Sequence, residues 1–229
     1  MAYGLLKGKR GIISGALNED SIAWKIAQRA HEEGATFTLT NAPLAMRMGE
    51  INHLAEQCGA KIIGADATSI EDLEKLYDES MEFLGGPVDF VLHSIGMSTN
   101  IRKGREYSDL NYEWFLKSID VSALSFHKMM QVAQKKDAIA QGGSVVALSY
   151  IAAQRSFPDY TDMAQAKAML ESIARSYGYH YGKAKGVRVN TVSQSPTKTT
   201  AGTGISGFNA FYEYANQIGR ASCRERVSS

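Results

Sequence analysis

Six short runs of β-branched and apolar residues alternate with longer stretches in which apolar residues recur every three or four positions. That alternation constrains the fold more than any other feature of the chain. GKRGIISG ends in an apolar run and glycines, and reads as a first strand and turn. SIAWKIAQRAHEEG places Ile22, Ile26, Ala27 and Ala30 at helical spacing and stops at Gly34. ATFTLT is strand-like, AMRMGEINHLAEQCG reads as one helix, and KIIGAD as a third strand. SIEDLEKLYDESMEFLGG predicts a helix with Ile70, Leu73, Leu76 and Met81 inward. VDFVLHSIG is a fourth strand, and a helical tract covers roughly residues 110–137. GGSVVALSY is a fifth strand, residues 160–181 a long helix, and GVRVNTVS a sixth strand.

Strands separated by helices of this length pair in parallel, and near-continuous apolar strands need helices on both faces. The expected fold is therefore α/β, a doubly wound parallel sheet of Rossmann-like type, in which ligands sit beyond the carboxyl ends of the strands. A chain of 229 residues fits one such domain. With 44% hydrophobic and 21% charged residues, it has the material for a core and is not a disordered chain. No apolar run is long enough to span a bilayer, and the start shows no secretory pattern, so a cytoplasmic protein is expected. A net charge of +1 gives no argument for nucleic acid. Cys58 and Cys223 are too few for a disulfide framework and fit a reducing compartment. His31, His53, His93, His127 and His180 show no ligand spacing, and no metal is expected.

The regular patterns stop near residue 217. Residues 218–227, IGRASCRERV, match codon for codon the translation of a common sequencing adapter. Residues 1–217 are thus expected to form the domain, with 218–229 a non-native tail and the natural C-terminus cut away. An ordinary basic tail is the alternative. Arg220, Arg224 and Arg226 there account for the slight excess of positive charge.

The first strand leads into Gly15 and then Ser21-Ile22-Ala23. A glycine here lets the backbone turn closely against a pyrophosphate, and a helix starting near Ser21 turns its free amides toward that anion. The alternative is a helix capped by Ser21 with no ligand. Neither G-x-G-x-x-G nor G-x-x-x-G-x-G is present. Thr40-Asn41-Ala42, after the second strand, offers no acid for ribose hydroxyls and no adjacent arginine for a 2′-phosphate. Arg47 is five residues on, so these residues leave the choice between NADH and NADPH open, leaning slightly to NADH. Asp66, after the third strand, has two readings: a contact for the adenine amino group, or the N-cap of the next helix.

Tyr160 and Lys167 lie on one predicted helix, and seven residues turn about 700°, placing them on one face. A phenol donates to a developing enolate, and a nearby ammonium holds the nicotinamide ribose. Tyr150, at the end of the fifth strand, joins them or simply packs on the helix. Ordinary short-chain dehydrogenases carry Tyr-x-x-x-Lys, but Ala164 stands in that lysine position.

Taken together, Gly15-x5-Ser21-Ile22-Ala23, His93-Ser94-Ile95-Gly96, Ser149-Tyr150, Tyr160-x6-Lys167 and Ser195-Pro196-Thr197-Lys198-Thr199 resemble the NADH-dependent enoyl-acyl-carrier-protein reductases of bacterial type II fatty acid synthesis. These are divergent short-chain dehydrogenase/reductases. LTNAPLAMRMGEI and SQSPTKTTAG are similar to the Bacteroidetes branch, and the resemblance spans residues 3–217. It implies six of the family's seven strands and hydride transfer from NADH to C3 of a trans-2-enoyl thioester. Tyr160 matches the catalytic tyrosine that stabilises the enolate, Lys167 the ribose-binding lysine, and Tyr150 a second active-site tyrosine near the thioester. Gly15, Ser21 and Ile22 match pyrophosphate and ribose contacts, Ala42 the adenosine end, and Asp66 and Ala67 the adenine contacts. Ser94, Ile95 and Gly96 match a cofactor-binding segment, and Ser98 a substrate-side position. Pro196, Thr197, Lys198, Thr199, Thr200 and Ala201 match the segment clasping the nicotinamide. TKTTAGTGISGF matches the family's substrate-binding loop.

The resemblance further implies an acyl carrier protein as partner and a homotetramer. Three departures stand out. Ser195 replaces a frequent glycine. Ser206, Asn209 and Ala210 replace the basic residues that dock the carrier, leaving Lys198 among the alternatives. The seventh strand and last helix have no counterpart, which would leave the sixth strand with an unpaired edge. Two other functions remain open: a reductase of 3-oxoacyl thioesters or other carbonyls, and a non-catalytic dinucleotide-binding module.

Overall fold

Side chains alternate between the two faces of a strand, and here both sets are apolar. In the computed structural model, Ile12, Val91, Val145 and Ala147 point into one core, and Ile13, Leu92 and Leu148 into another on the opposite face. The structure describes residues 2–48, 50–157, 159–194, 196–199, 202–203, 209 and 212–213. Residues 218–229, expected to be a non-native tail, lie outside them.

The strands are β1 (Arg10–Ser14), β2 (Thr36–Asn41), β3 (Lys61–Gly64), β4 (Val88–His93), β5 (Ile139–Tyr150) and β6 (Arg188–Gln194). They pair in the order β3-β2-β1-β4-β5-β6, all parallel. The order reverses direction at β1 and β4, so the crevice beyond those two strands is the natural ligand position. Among the described residues, β6 pairs only with β5, and Val192 on it is 47% exposed.

Helices cover both faces. α1 (Ile22–Glu32) and α3 (Ile51–Cys58) pack on the Ile13 side. The buried stripe of α1 is Ala23, Trp24, Ala27 and Ala30, whereas Ile22 and Ile26 are only partly buried. The inward face is thus turned by one residue from the sequence expectation, and Trp24 is its largest member. α4 (Ile70–Leu84), α7 (Ser125–Lys135) and α8 (Thr161–Lys185) pack on the other side. Leu73 and Leu76 on α4 are buried as expected, together with Tyr77. Each fully buried leucine or phenylalanine contributes roughly 1.5–3 kcal/mol relative to exposure.

Two helical expectations change. The stretch read as one helix over 45–59 is two, α2 (Pro43–Met48) and α3. Between them the Glu50 N–H leaves the helical ladder and donates to Leu17 O at 3.0 Å. α2 opens on Pro43, a residue that loses no helical hydrogen bond in that position. The long tract also divides, into α6 (Tyr112–Ile119), a π-helical turn over Asp120–Leu124, and α7. A further short helix, α5 (Thr99–Arg102), stands between β4 and α6.

Candidate active site

The carboxyl end of β1 is fastened to β4. Ser14 Oγ donates to Leu92 O at 2.7 Å, and the next residue, Gly15, has φ +90°. A Cβ on Gly15 would lie 1.9 Å from Ser94 O. The residue therefore has to be glycine for a reason internal to the protein: the β4 exit occupies the space of its missing side chain. Ser21 is the N-cap of α1 but makes no side-chain cap bond. Its hydroxyl instead donates to Asn18 O at 2.6 Å and accepts from Leu17 N at 3.2 Å, holding the turn in shape. The Ser21 side chain thus leaves the start of α1 uncapped and open to an anion, although Trp24 N–H turns back to Ser21 O at 3.1 Å.

A cavity opens beside this turn, lined among others by Thr40, Asn41, Ala42, Asp66, Ala67 and Ile95. Residues expected at the adenosine end of a dinucleotide thus share one wall. Asn41 ties that wall to the turn: Nδ2 donates to Ala16 O at 3.0 Å, and Oδ1 accepts from Ala42 N at 2.9 Å. The Thr40 hydroxyl is buried and has no hydrogen-bond partner among the described residues. A buried hydroxyl without a partner fits a site made for a polar ligand. Asp66 does not cap α4. Ser69 does, accepting from Asp72 N. Asp66 accepts from Thr68 N and Oγ1, each at 2.8 Å. The Thr68 amide holds its carboxyl below the ordinary range, against a smaller opposing effect of burial.

At the other end of the crevice stand two tyrosines. Tyr150 is the last residue of β5, in register with Gln194 of β6. Tyr160 is the N-cap of α8 rather than a residue inside it. Their ring centroids are 4.8 Å apart at 49°, and Phe157 flanks Tyr150 at 5.7 Å. Burial pushes the Tyr150 phenol up to about 12. Burial, with Tyr150 adding to it, raises Tyr160 as well. Both phenols therefore keep their protons at neutral pH and act as donors.

Lys167 lies two turns into α8 and is buried. Its Nζ donates to Leu148 O at 2.8 Å and passes 3.6 Å from where a Cβ on Gly96 would be. The structure thus brings Lys167 to the segment Ser94–Gly96. Burial lowers its pKa to about 8. His93, at the end of β4, is also buried, and its Nε2 meets Ser125 Oγ at 2.9 Å. Burial first, and Lys167 second, push it down to about 3, so the imidazole is neutral.

Among the clasp residues, Thr199 is bound within its own turn: Gly202 N donates to its Oγ1, and Thr203 N to its carbonyl, each at 2.9 Å. Lys198 Nζ stands 4.9 Å from the Tyr212 ring centroid. Pro196 and Thr197 fall in the same described stretch, and Asn209 is exposed. Thr200, Ala201, Ser195, Ser206 and Ala210 lie outside the described residues. Among the described residues, no group of three His, Cys, Asp or Glu side chains is placed to hold a metal ion.

Two buried carboxylates escaped the sequence reading. Glu171 accepts from Ser149 Oγ at 2.7 Å and Gln154 Nε2 at 3.1 Å, bracing the backbone on both sides of Tyr150. It lies four residues after Lys167, on the same inward face, and that spacing was the available signal. Asp162 accepts from Ser98 Oγ at 2.6 Å, Ser118 Oγ at 2.8 Å and Asn100 Nδ2 at 2.9 Å. The hydroxyl of Ser98, expected on the substrate side, is thereby turned into the protein.

The arrangement offers an anion-accepting turn, a lined cavity with an orphaned hydroxyl, a buried ammonium, and two protonated phenols. It fits an extended dinucleotide with its reactive end at Lys167 and Tyr160. Comparison with known proteins bears on the same point. A family model described as enoyl-(acyl carrier protein) reductase matches residues 15–225. The enoyl-acyl-carrier-protein reductase (NADH) 1 of Rhizobium meliloti (strain 1021) is 36% identical over 233 residues, covering 100% of this chain and 84% of that protein. The crystal structure of the FabI–NADH complex from Alistipes finegoldii is similar at TM-score 0.90 and 63% identity, over 91% of this chain and 74% of that one. The enoyl-acyl-carrier-protein reductase (NADH) of Aquifex aeolicus VF5 aligns at TM-score 0.82 and 33% identity, over 92% and 81%.

Proposed function

The chain belongs to the enoyl-(acyl carrier protein) reductase family, and from that premise we propose how its own residues reduce a trans-2-enoyl thioester to the saturated acyl thioester. Bound NADH supplies the hydride, which goes to C3 of the substrate. Gly15, Ser21 and Ile22 receive the pyrophosphate at the start of α1, and Ala42, Asp66 and Ala67 bound the adenosine cavity. Lys167 holds the nicotinamide ribose, with Ser94, Ile95 and Gly96 beside it. Pro196, Thr197, Lys198 and Thr199, with Thr200 and Ala201, clasp the nicotinamide end.

The phenol of Tyr160 donates to the thioester oxygen as negative charge develops there, and C2 then takes a proton. Tyr150 stands beside it on the thioester side. Ser98 bounds the substrate through its backbone, since its hydroxyl is spent on Asp162. The observation that carries this reading is the Tyr150–Tyr160 pair, buried enough to stay protonated, at the head of the helix that buries Lys167. The Tyr160-x6-Lys167 spacing also separates this site from that of a plain carbonyl reductase. The same reading takes the acyl carrier protein as the partner that delivers the substrate, a homotetramer as the working assembly, and the cytoplasm as its place. Exposed Tyr112 and Leu116 on α6 supply apolar surface for assembly. No helix among the described residues is long and apolar enough to cross a membrane.

The test is NADH oxidation with a trans-2-enoyl thioester, run beside a 3-oxoacyl thioester. Turnover of the enoyl substrate alone is expected. Turnover of the oxo substrate alone would overturn the reading in favour of a carbonyl reductase. NADH binding with no turnover of either would fit a binding module or an enzyme unable to turn over, and would remove the support for the reductase reading.

A further inference from the structure

The geometry points to Asp162 as a positioning residue, whose buried carboxylate fixes the wall that α5 and α6 present to Tyr160. The proposal rests on the enoyl-reductase reading for its kinetic consequence, but not for its structural one. Asp162, Asn100 and Ser118 are all 0% exposed, and no cation pairs with Asp162 among the described residues. Its four donors are neutral: Ser98, Asn100 and Ser118, with Thr161 Oγ1 at 3.2 Å.

Three of these donors have a second task. Ser98 Oγ caps α5 by accepting from Ile101 N at 3.1 Å. Asn100 bridges to Asn111 through Oδ1 and Nδ2, and Asn111 in turn caps α6 at Trp114 N. Ser118 sits in the last turn of α6. One carboxylate thus sets both ends of α6 and the start of α5 against α8. Next to its partners in sequence stand Ile101 and Ile119, and these pack with Met163 and Ala166 around Tyr160. The anchor and the Tyr160 cradle are adjacent residues on the same elements.

The Asp162 carboxylate accepts from Ser98, Asn100 and Thr161, and from Ser118, whose one hydroxyl proton it shares with Trp114 O, so it orients the groups around it. Asp162→Asn keeps the shape and puts an N–H against either the Ser98 and Thr161 hydroxyls or the Asn100 amide and Ser118. Asn100 cannot turn to compensate, because its Oδ1 is held by Asn111 N. The expected result is about a tenfold weaker binding of an enoyl thioester to the enzyme–NAD⁺ complex and a matching rise in KM, with NADH affinity within about twofold of the parent.

Trp114 reports the wall independently of chemistry. Trp24 is fully buried, so acrylamide quenching reads Trp114 on α6. Quenching is expected to rise in Asp162→Asn while the chain still melts cooperatively. Should the parent reduce no enoyl thioester, the functional reading fails and quenching alone judges the wall. A folded Asp162→Asn with unchanged enoyl binding and unchanged quenching would overturn the proposal. So would a lowered Tm with enoyl KM unaltered, which is what a purely structural role gives. If that variant does not fold, Ser98→Ala, which removes one donor, decides on the same readouts. A further rise less than the sum of the single effects is expected when Ser98→Ala is added to Asp162→Asn.

Discussion

Replacing Gly15 by alanine puts the account of the β1–β4 mouth at risk. At φ +90° an L-residue is strained by about 1–2 kcal/mol. The added methyl would lie 1.9 Å from Ser94 O and 2.8 Å from Ser94 C, so one side must move by more than an ångström. Neither is free to do so. Ser14 Oγ holds Leu92 O at 2.7 Å, and Ile13 is in register with Leu92. Overpacking of that kind costs roughly 1–3 kcal/mol. Together the two effects come to about 2–5 kcal/mol, or a fall in Tm of about 4–20 °C for a domain of this size. Thermal melts of the cofactor-free chain, with NADH titrations alongside, are the assay. The stability loss is expected without any cofactor present, and NADH affinity falls too, because Ile95 and Gly96 follow the displaced carbonyl. If Gly15 served only the close approach of a pyrophosphate, the free chain would melt at the parental temperature and lose affinity alone. That outcome would refute the packing argument.

Tyr160→Phe should lower kcat by about 10²–10³, the size of losing one donor to a developing oxyanion, while NADH binding persists; lost binding with normal turnover per bound enzyme would remove the assigned role. Lys167 falls from an ordinary 10.5 to about 8 on burial. Between those values the unfolded chain keeps a proton that the folded chain has shed, so the stability of the free protein rises with pH across that window, by up to about 3 kcal/mol. NADH affinity should fall over the same range as the ammonium is lost. Urea melts and NADH titrations from pH 7 to 10 show both trends, and Lys167→Met should flatten them; a stability that falls with pH in the parent and not in the variant contradicts the burial argument. Thr40→Val removes an orphaned buried hydroxyl and should stabilise the free chain by about 1 kcal/mol. Its NADH affinity should drop several-fold, and an undiminished affinity in titration would show that the hydroxyl does not meet the cofactor.

The sheet was legible because each strand is a short run of β-branched or apolar residues set between helical patterns. What the period could not show was a change of one residue. The π-helical turn at Asp120–Leu124 leaves the apolar pattern of the tract nearly continuous, so α6 and α7 read as one helix. The break between α2 and α3 depends on Glu50 N–H reaching Leu17 O, a contact across 33 residues that no local pattern encodes. In the candidate site, Tyr150, Tyr160 and Lys167 could be named from spacing and family resemblance, and the structure places Tyr150 against Tyr160. Asp162 was not, since a lone acid near a helix start usually faces water, and its burial depends on Ser98, Asn100 and Ser118 arriving from elsewhere in the chain. Gly15 was singled out for the turn toward a pyrophosphate; the crowding by Ser94 O is a second reason for glycine that the sequence did not show.

The carboxylate of Asp162 also bears on how the wall comes apart. Three of its four donors lie 64, 62 and 44 residues away in sequence, so none of these three is held near it by chain connectivity. Withdrawing one donor leaves a buried carboxyl group short of partners, and the remaining bonds are then poorer company than water. Partial opening is therefore disfavoured, and α5 and α6 should separate from α8 as one cooperative unit. In amide hydrogen exchange, Ile101, Asn111 and Trp114, whose N–H groups are held by Ser98, Asn100 and Asn111, would share a single opening free energy although they sit on different elements. The face that meets the substrate would then have two states, shut or open, with little between them.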